Sequence, residues 1–397
     1  MDAYFEADKK LWTRSFVSLA VANLLMAIAF YFMLPILPVY LKDIIGATKS
    51  EIGVVLSFYT IAALAIRLFA GWALDVYGRK LIYLTAFLLF SILFIGYPIA
   101  FTFIQFLFLR FAHGLTWGVL TTSGSTIAVD IIPQERRGEG IGIFGLSMTI
   151  GMALGPTIAI FIAGDSHYSQ LFISAIAISL VGLFLAYTVK LSKFTKTRLN
   201  KFSVKDLVER TSIPVALNMI MVMFTYGGVL SFISLYGKEI GVNNSGLFFL
   251  ILSIGIGLSR VLSGKVFDLY GPKLISIIGM ILLAIGFPIL GFIDNPIGYH
   301  ISAIILGFGF GIIMPTFQAM VNNMVDTTRR GAANSTFFTA FDLGIGFGMI
   351  GTGMLSQIIG FNKTFSLFAI FVLLALMFFL SISSKYYHNS IAKQKNN

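Results

Sequence analysis

Residues 67 to 80 read Arg67-Leu68-Phe69-Ala70-Gly71-Trp72-Ala73-Leu74-Asp75-Val76-Tyr77-Gly78-Arg79-Lys80. At an offset of 193 residues the same frame returns as Arg260-x3-Gly264-x3-Asp268-x2-Gly271-x-Lys273. Without any gap, that offset also lays Gly53 on Gly246, Gly114 on Gly307, Gly118 on Gly311, Gly151 on Gly344 and Gly155 on Gly348. Arg136-Arg137-Gly138 falls on Arg329-Arg330-Gly331 in the same way. Recurring glycines in apolar helices mark close backbone approach, and a recurring charged turn marks a shared junction between helices. The chain is two copies of one design.

Composition fixes the solvent of both copies. Hydrophobic residues make up 57% of the 397 positions and charged residues 11%, and the mean hydropathy is +0.90, so too little polar surface exists to cover a water-soluble globule. A helix needs ~20 apolar residues to cross the hydrocarbon core. Such stretches fall near 15–41, 51–73, 81–99, 101–129, 139–163, 168–189, 213–237, 245–267, 274–293, 298–324, 332–358 and 363–384. The fold class read from this is all-α and integral to the membrane: twelve transmembrane helices in two pseudo-symmetric six-helix bundles, 1–189 and 213–397, joined by a polar linker at 190–212. The alternation of a β-barrel is absent from the pattern. The start, Met1-Asp2-Ala3-Tyr4-Phe5-Glu6, lacks the basic region of a secretory signal, so the first apolar stretch is expected to remain as a helix.

With the N-terminus assigned to the cytoplasm, 21 of the 28 Lys and Arg residues fall in inside segments, and only Lys42, Lys49, Lys238 and Lys363 fall outside. That bias predicts a cytoplasmic membrane protein with both termini inside. The net charge of +11 is accounted for by the same bias, and no nucleic-acid partner is expected. Zero cysteines exclude disulfides and thiolate metal sites. Four scattered histidines offer no metal site, and no clustered nucleophile, base and carboxylate suggests an enzyme.

The duplicated helices, the basic central loop and the junction Gly71 to Lys80 resemble the major facilitator superfamily of secondary transporters, over essentially the whole chain. Leu34-Pro35-Ile36-Leu37-Pro38 points the same way. Arg110-x2-His113-Gly114-x3-Gly118 resembles the family's arginine-glycine motif, and Gly151-x3-Gly155-Pro156 resembles the glycine-proline motif of its proton-coupled drug exporters. The resemblance implies a conformational latch of Gly71, Asp75, Gly78, Arg79, Lys80 and Asp130, with Asp268 in the second copy, holding one state of the transport cycle. Pro272 stands in the second copy where Arg79 stands in the first, so that latch is expected to be weaker.

Charges inside apolar helices are costly and face a cavity or a partner. Here they are Arg67, Arg110, Arg260 and Asp342. Arg67 and Arg260 are repeat mates, which favours a structural role. Arg110 and Asp342 fall on Ala303 and Thr149 and so have no mates. Asp342 is the first choice for proton coupling, with His113 the second, although the Asp342-Leu343-Gly344 flank is equally suited to bridging helices. Many exporters of the family carry an acid in helix 1, whereas this helix 1 offers only Asn23 as a strongly polar interior residue.

The resemblance places the cavity on helices 1, 4, 7 and 10. Candidate substrate contacts there are Asn23, Tyr31, Arg110, Trp117, Asn218, Tyr226 and Gln318, beside Phe30 and Phe310. An aromatic chamber with few polar groups suits an amphipathic organic molecule better than a sugar. Gly151, Gly155 and Pro156 favour export through close packing at the interface between halves.

The reading is a monomeric proton-driven exporter of small amphipathic molecules, in contact with membrane lipids, without a cofactor and powered by the proton gradient. The alternatives are proton-coupled uptake of an anionic metabolite or nutrient, or a lipid flippase or sensor on the same fold.

Overall fold

The computed structural model describes residues 10–133, 136–163, 168–191, 208–242, 244–326 and 329–396, and among these every regular element is helical. Six helices form the first copy: α1 Arg14–Ile45, α2 Lys49–Tyr77, α3 Arg79–Leu93, α4 Phe103–Ile131, α5 Arg137–Ala163 and α6 Tyr168–Thr188. A tight 3-10 turn, Phe94–Ile99, extends α3. In the second copy α7 spans Ile213–Glu239. The run Gly246–Phe292 breaks at Gly271 into α8 (246–270) and α9 (272–292). After α10, Pro296–Asn323, the run Arg330–Phe378 breaks at Gly360 into α11 (330–359) and α12 (361–378). A π-turn, Phe379–Ser383, leads into the short polar α13, Ser384–Asn396.

Among the described residues, ten helical runs are long and apolar enough to cross a membrane. The shorter apolar helix Gly246–Arg260 and the Gly360 break inside the last run account for the difference from the twelve apolar stretches of the sequence. This is an all-α, multi-pass membrane protein. Large apolar side chains such as Phe108, Phe161, Phe184, Phe292 and Ile358 stand exposed, as a lipid-facing surface requires.

The repeated turn has a repeated backbone. Gly78, between α2 and α3, has φ of 96°, and its mate Gly271, between α8 and α9, has φ of 76°. Only glycine enters that region without strain, which is the physical reason both copies keep it.

The chain divides into two compact units, one drawn from Met1–Leu37 and Ile61–Phe202, the other from Pro38–Thr60 and Ser203–Asn397. Each is built on the same glycine contacts. In unit 1, a Cβ on Gly155 would lie 2.8 Å from the Cβ of Tyr31 on α1, and one on Gly151 would collide with Ala27. In unit 2, a Cβ on Gly344 would lie 2.6 Å from the Cβ of Met223 on α7, and one on Gly348 would collide with the Phe224 carbonyl. Phe224 is the repeat mate of Tyr31. Gly118 meets Ala63 and Ile66 of α2, and its mate Gly311 meets their mates Ile256 and Ser259 of α8. The duplication therefore survives as packing: α1 with α5 and α2 with α4 in one unit, α7 with α11 and α8 with α10 in the other. Without a hydrophobic force between helices in lipid, this close approach is what holds them together.

Residues 38–60 belong to unit 2. Lys49 bonds Glu239 at 2.9 Å and lies 3.9 Å from the Phe361 ring centroid, while Lys238 reaches Asp43 at 2.9 Å. Gly53 and Gly353 let the start of α2 sit directly on α11.

Candidate functional site

Among the described residues, Arg110 and Asp342 are the charged side chains that are buried, at 0% and 8% exposure. Arg110 lies on α4. Thr102 starts that helix with a capping box: its hydroxyl accepts from the Gln105 amide and Gln105 Oε1 accepts from the Thr102 amide. From that fixed start, Arg110, His113 and Trp117 follow at spacings of three and four, so they share one face.

The turn after α3 brings Tyr97 to that face. Its hydroxyl lies 2.9 Å from His113 Nδ1, and His113 Nε2 lies 3.1 Å from the Phe90 carbonyl. A carbonyl only accepts, so Nε2 carries the proton, and Nδ1 of the neutral ring accepts from the Tyr97 hydroxyl. Arg110 in turn donates to the Tyr97 oxygen. The order is Arg110 to Tyr97 to His113 to the Phe90 carbonyl, all inside unit 1. Both ring nitrogens of His113 are thereby engaged in holding α4 to α3.

Aromatic rings close the set. Phe30 of α1 stacks on Trp117 with centroids 3.9 Å apart, and the Arg110 guanidinium lies 5.6 Å from the Phe30 centroid. Tyr31 meets Phe30 and Trp117 edge-on. The repeat mates of Tyr97, Arg110 and His113 are Leu290, Ala303 and Leu306, each fully buried and apolar. The polar set is an addition to unit 1 that the shared scaffold does not need.

The other expected site residues fall elsewhere. Asn23 of α1 donates to Ser147 of α5 at 2.8 Å. The contacts of Gly151 and Gly155 are likewise to α1, inside unit 1, and Pro156 lies within α5. In unit 2, Asn218 of α7 donates to the Ala375 carbonyl of α12 at 2.9 Å, and Tyr226 packs edge-on against Phe310, 4.7 Å between centroids. Gln318 joins an amide cluster: its Nε2 donates to Asn334 at 3.2 Å, and Asn322 and Asn334 bond each other at 2.8 Å. Asp342 is buried on α11.

Of the latch, Arg79 and Asp130 form an ion pair between the start of α3 and the end of α4. Lys80 points away from them, donating to the Val189 carbonyl just past α6 at 2.9 Å, where a cation also suits the helix dipole. The side chains of Gly71, Asp75 and Asp268 lie outside the described residues.

Tyr97, Asn322 and Asn334 were not singled out in the sequence. Asn322 was within reach, four residues after Gln318 and so on its face. For Tyr97 the signal was the Gly96-Tyr97-Pro98 break at the end of an apolar stretch.

Also missed is Glu209, which enters α7 through the 3-10 turn Arg210–Ser212. Its carboxylate accepts from the Thr211 amide at 3.2 Å and from Arg329 Nε at 2.9 Å, while its own amide donates to Thr336 at 2.8 Å. Burial pushes the carboxyl up, but the Thr211 and Arg329 hydrogen bonds and the Arg329 charge outweigh it and hold it below its ordinary value. A depressed carboxylate stabilises the fold above its unfolded pKa of about 4.3, and that contribution is lost as pH falls through the folded value. Because Arg329 is 42% exposed, water limits the effect to about 1 kcal/mol. Thermal melting in detergent is expected to show Glu209→Gln modestly below wild type at neutral pH, the gap closing below about pH 4. A gap independent of pH would contradict the ion pair.

Two membrane-embedded units on one repeated helical plan, with a few charged and aromatic groups buried in them, define a membrane transport protein. The chain belongs to the Major Facilitator Superfamily, whose family model matches residues 19–348 and, in a second match, 215–396. It is 26% identical over 338 residues to the staphylopine export protein of Staphylococcus aureus (strain Mu50 / ATCC 700699), covering 80% of this chain and 83% of that one. It is 23% identical to a multi-drug resistance efflux pump PmrA homolog of Lactococcus lactis subsp. lactis (strain IL1403), covering 79% and 81%. Among solved structures, a D-xylose-proton symporter superposes with a TM-score of 0.77 at 18% identity, over 93% of this chain and 97% of that one. That likeness concerns the fold.

Proposed function

We propose that this transporter exports small amphipathic organic molecules across the cytoplasmic membrane in exchange for protons, by alternating access of two bundles, 1–189 and 213–397. The observation that carries the coupling is Asp342, the buried carboxylate among the described residues, on a helix of unit 2 and without a repeat mate. Export is supported by two relatives whose names specify export or efflux.

In this reading both termini and the 190–212 linker face the cytoplasm. The protein works as a monomer, and Asp75, Arg79 and Asp130 form the latch. The substrate meets the aromatic face of α4 and α1 in unit 1, where Phe30, Tyr31 and Trp117 lie.

The test uses purified protein in liposomes with an imposed pH gradient and a pH-sensitive dye inside. Addition of lipophilic cations or zwitterionic metabolites is expected to trigger proton movement only in protein-containing vesicles. Compound movement with no proton movement removes the coupling. Inward accumulation driven by an inward proton gradient would mean uptake in place of export.

A further inference from the structure

We infer that the cleft between the start of α1 and the end of α6, within unit 1, binds the phosphate of an anionic phospholipid, with Arg14 and Lys190 as its charge partners and the acyl chains lying on the exposed apolar face of α6. The site goes beyond the transport reading and does not depend on it.

The cleft measures about 530 Å³, and Trp12, Thr13, Arg14, Ser15, Ser18 and Lys190 line it. These side chains offer donors. Arg14 brings a guanidinium and Lys190 an ammonium; no carboxylate stands among the lining residues, and among the described residues neither cation is in an ion pair. Two hydroxyls already have an acceptor lone pair engaged: Thr13 Oγ1 accepts from the Phe16 amide at 3.2 Å, and Ser15 Oγ accepts from the Lys190 amide at 3.1 Å. A hydroxyl that accepts in this way still has its proton to give. Two cations and hydroxyl donors around one cleft match a group with charge and acceptors but no proton, which is a phosphate diester.

The shared scaffold does not need these charges. The 193-residue offset carries Arg14 to Leu207 and Lys190 to Ser383, and the Ser383 hydroxyl donates to the Pro214 carbonyl at 2.9 Å. Inside charges that only set topology have no reason to converge. Here the Lys190 amide is bonded to Ser15, 175 residues away, which brings both cations to one place.

A soluble anion would use the cations alone, whereas the rest of the surround suits a lipid. Trp12 stands at the rim, 62% exposed, with its ring edge-on to buried Phe16 at 6.0 Å between centroids. An indole with one side on apolar packing and the other open belongs at headgroup depth. From Thr188, which also lines the cleft, Phe184 and Val181 follow at spacings of four and three along one face of α6, both more than half exposed, and α1 adds the exposed Val17. In the proposed topology this end of unit 1 faces the cytoplasm, where anionic lipids attract basic side chains.

Trp12 is a reporter at the site. The chain has three tryptophans, so Trp72→Phe with Trp117→Phe leaves Trp12 as the sole emitter. This full-length protein is placed in phosphatidylcholine vesicles holding a minor fraction of lipid with brominated acyl chains, which quench an indole they touch. In one set that lipid is phosphatidylglycerol, in the other phosphatidylcholine.

Phosphatidylglycerol is expected to occupy the site in preference on the order of tenfold. Arg14→Gln with Lys190→Gln should bring the ratio to about one, while the exchange Arg14→Lys with Lys190→Arg keeps both charges and should keep the preference. Arg210→Gln with Lys385→Gln, which removes two exposed cations from unit 2, should leave the ratio as in wild type. Equal quenching by the two lipids, a preference that survives the double glutamine variant, or an equal loss in the Arg210 and Lys385 variant would each overturn the site. Relief of the quenching by inorganic phosphate, but not by chloride at the same ionic strength, would give the cleft to a soluble anion and overturn the lipid assignment. No gradient and no transported compound is present, so the outcome stands apart from the export reading.

Discussion

Replacing Gly348 with valine is expected to remove most of the folded protein from a detergent extract. A Cβ at that position runs into the backbone carbonyl of Phe224, which cannot swing aside as a flexible side chain can. Gly344, one turn earlier, is closed off by the Ile220 carbonyl at 2.7 Å, and Gly227 on the facing helix is closed off by the Ile345 carbonyl. Helices α7 and α11 therefore lie backbone against backbone, and a branched side chain would wedge them apart along their length. Overpacking of an ordinary core costs about 1–3 kcal/mol, and here the obstacle is rigid, so about 3 kcal/mol or more is expected. Gly145→Ala is the matched control: nothing lies within 4 Å of its Cβ position, and alanine is the better helix former. Fluorescence-detected size exclusion after heating checks both. A valine variant that melts with wild type would mean that the two helices are not in backbone contact.

Asp342→Asn is expected to end proton movement while leaving the protein folded. The amide keeps the shape of the carboxyl and loses the capacity to take up and give back a proton. Proton flux triggered by a transported compound should fall to the level of empty vesicles, a loss of orders of magnitude. Exchange of labelled for unlabelled compound, which needs no net proton transfer, should continue. That split is the measurement: both lost would make Asp342 a bridge between helices, and both retained would place coupling elsewhere. The neighbouring Gly344 and Gly348 contacts hold α11 on α7 whether or not residue 342 is charged, so the variant has a scaffold to fold on.

How much of this was legible in the sequence depends on which distances a residue's chemistry spans. Helix number, membrane residence and duplication follow from local composition and from an offset of 193 residues, because a helix in lipid satisfies its own backbone and needs only a long enough apolar run. The repeat also foretold contacts. Gly151 and Gly344 were paired on the page of the sequence, and each lies against the corresponding helix of its own unit.

The site was legible only in part. Arg110, His113 and Trp117 stand out because they share one helical face, a short-range property. Lys80 and Arg79 are adjacent in sequence yet engage different helices, Val189 beyond α6 and Asp130 of α4. Nothing local distinguishes them.

The sequence by itself determined the solvent, the helices, the doubled plan and which charges break its symmetry. The tertiary structure decided the partners. It joined Tyr97 to His113, 16 residues away, Asn23 to Ser147, 124 away, and Glu209 to Arg329, 120 away. It also set Phe30 between a cation and an indole. Helix formation is a property of neighbours along the chain, whereas a hydrogen bond between helices depends on their rotation and depth, which are fixed only when all the helices have packed.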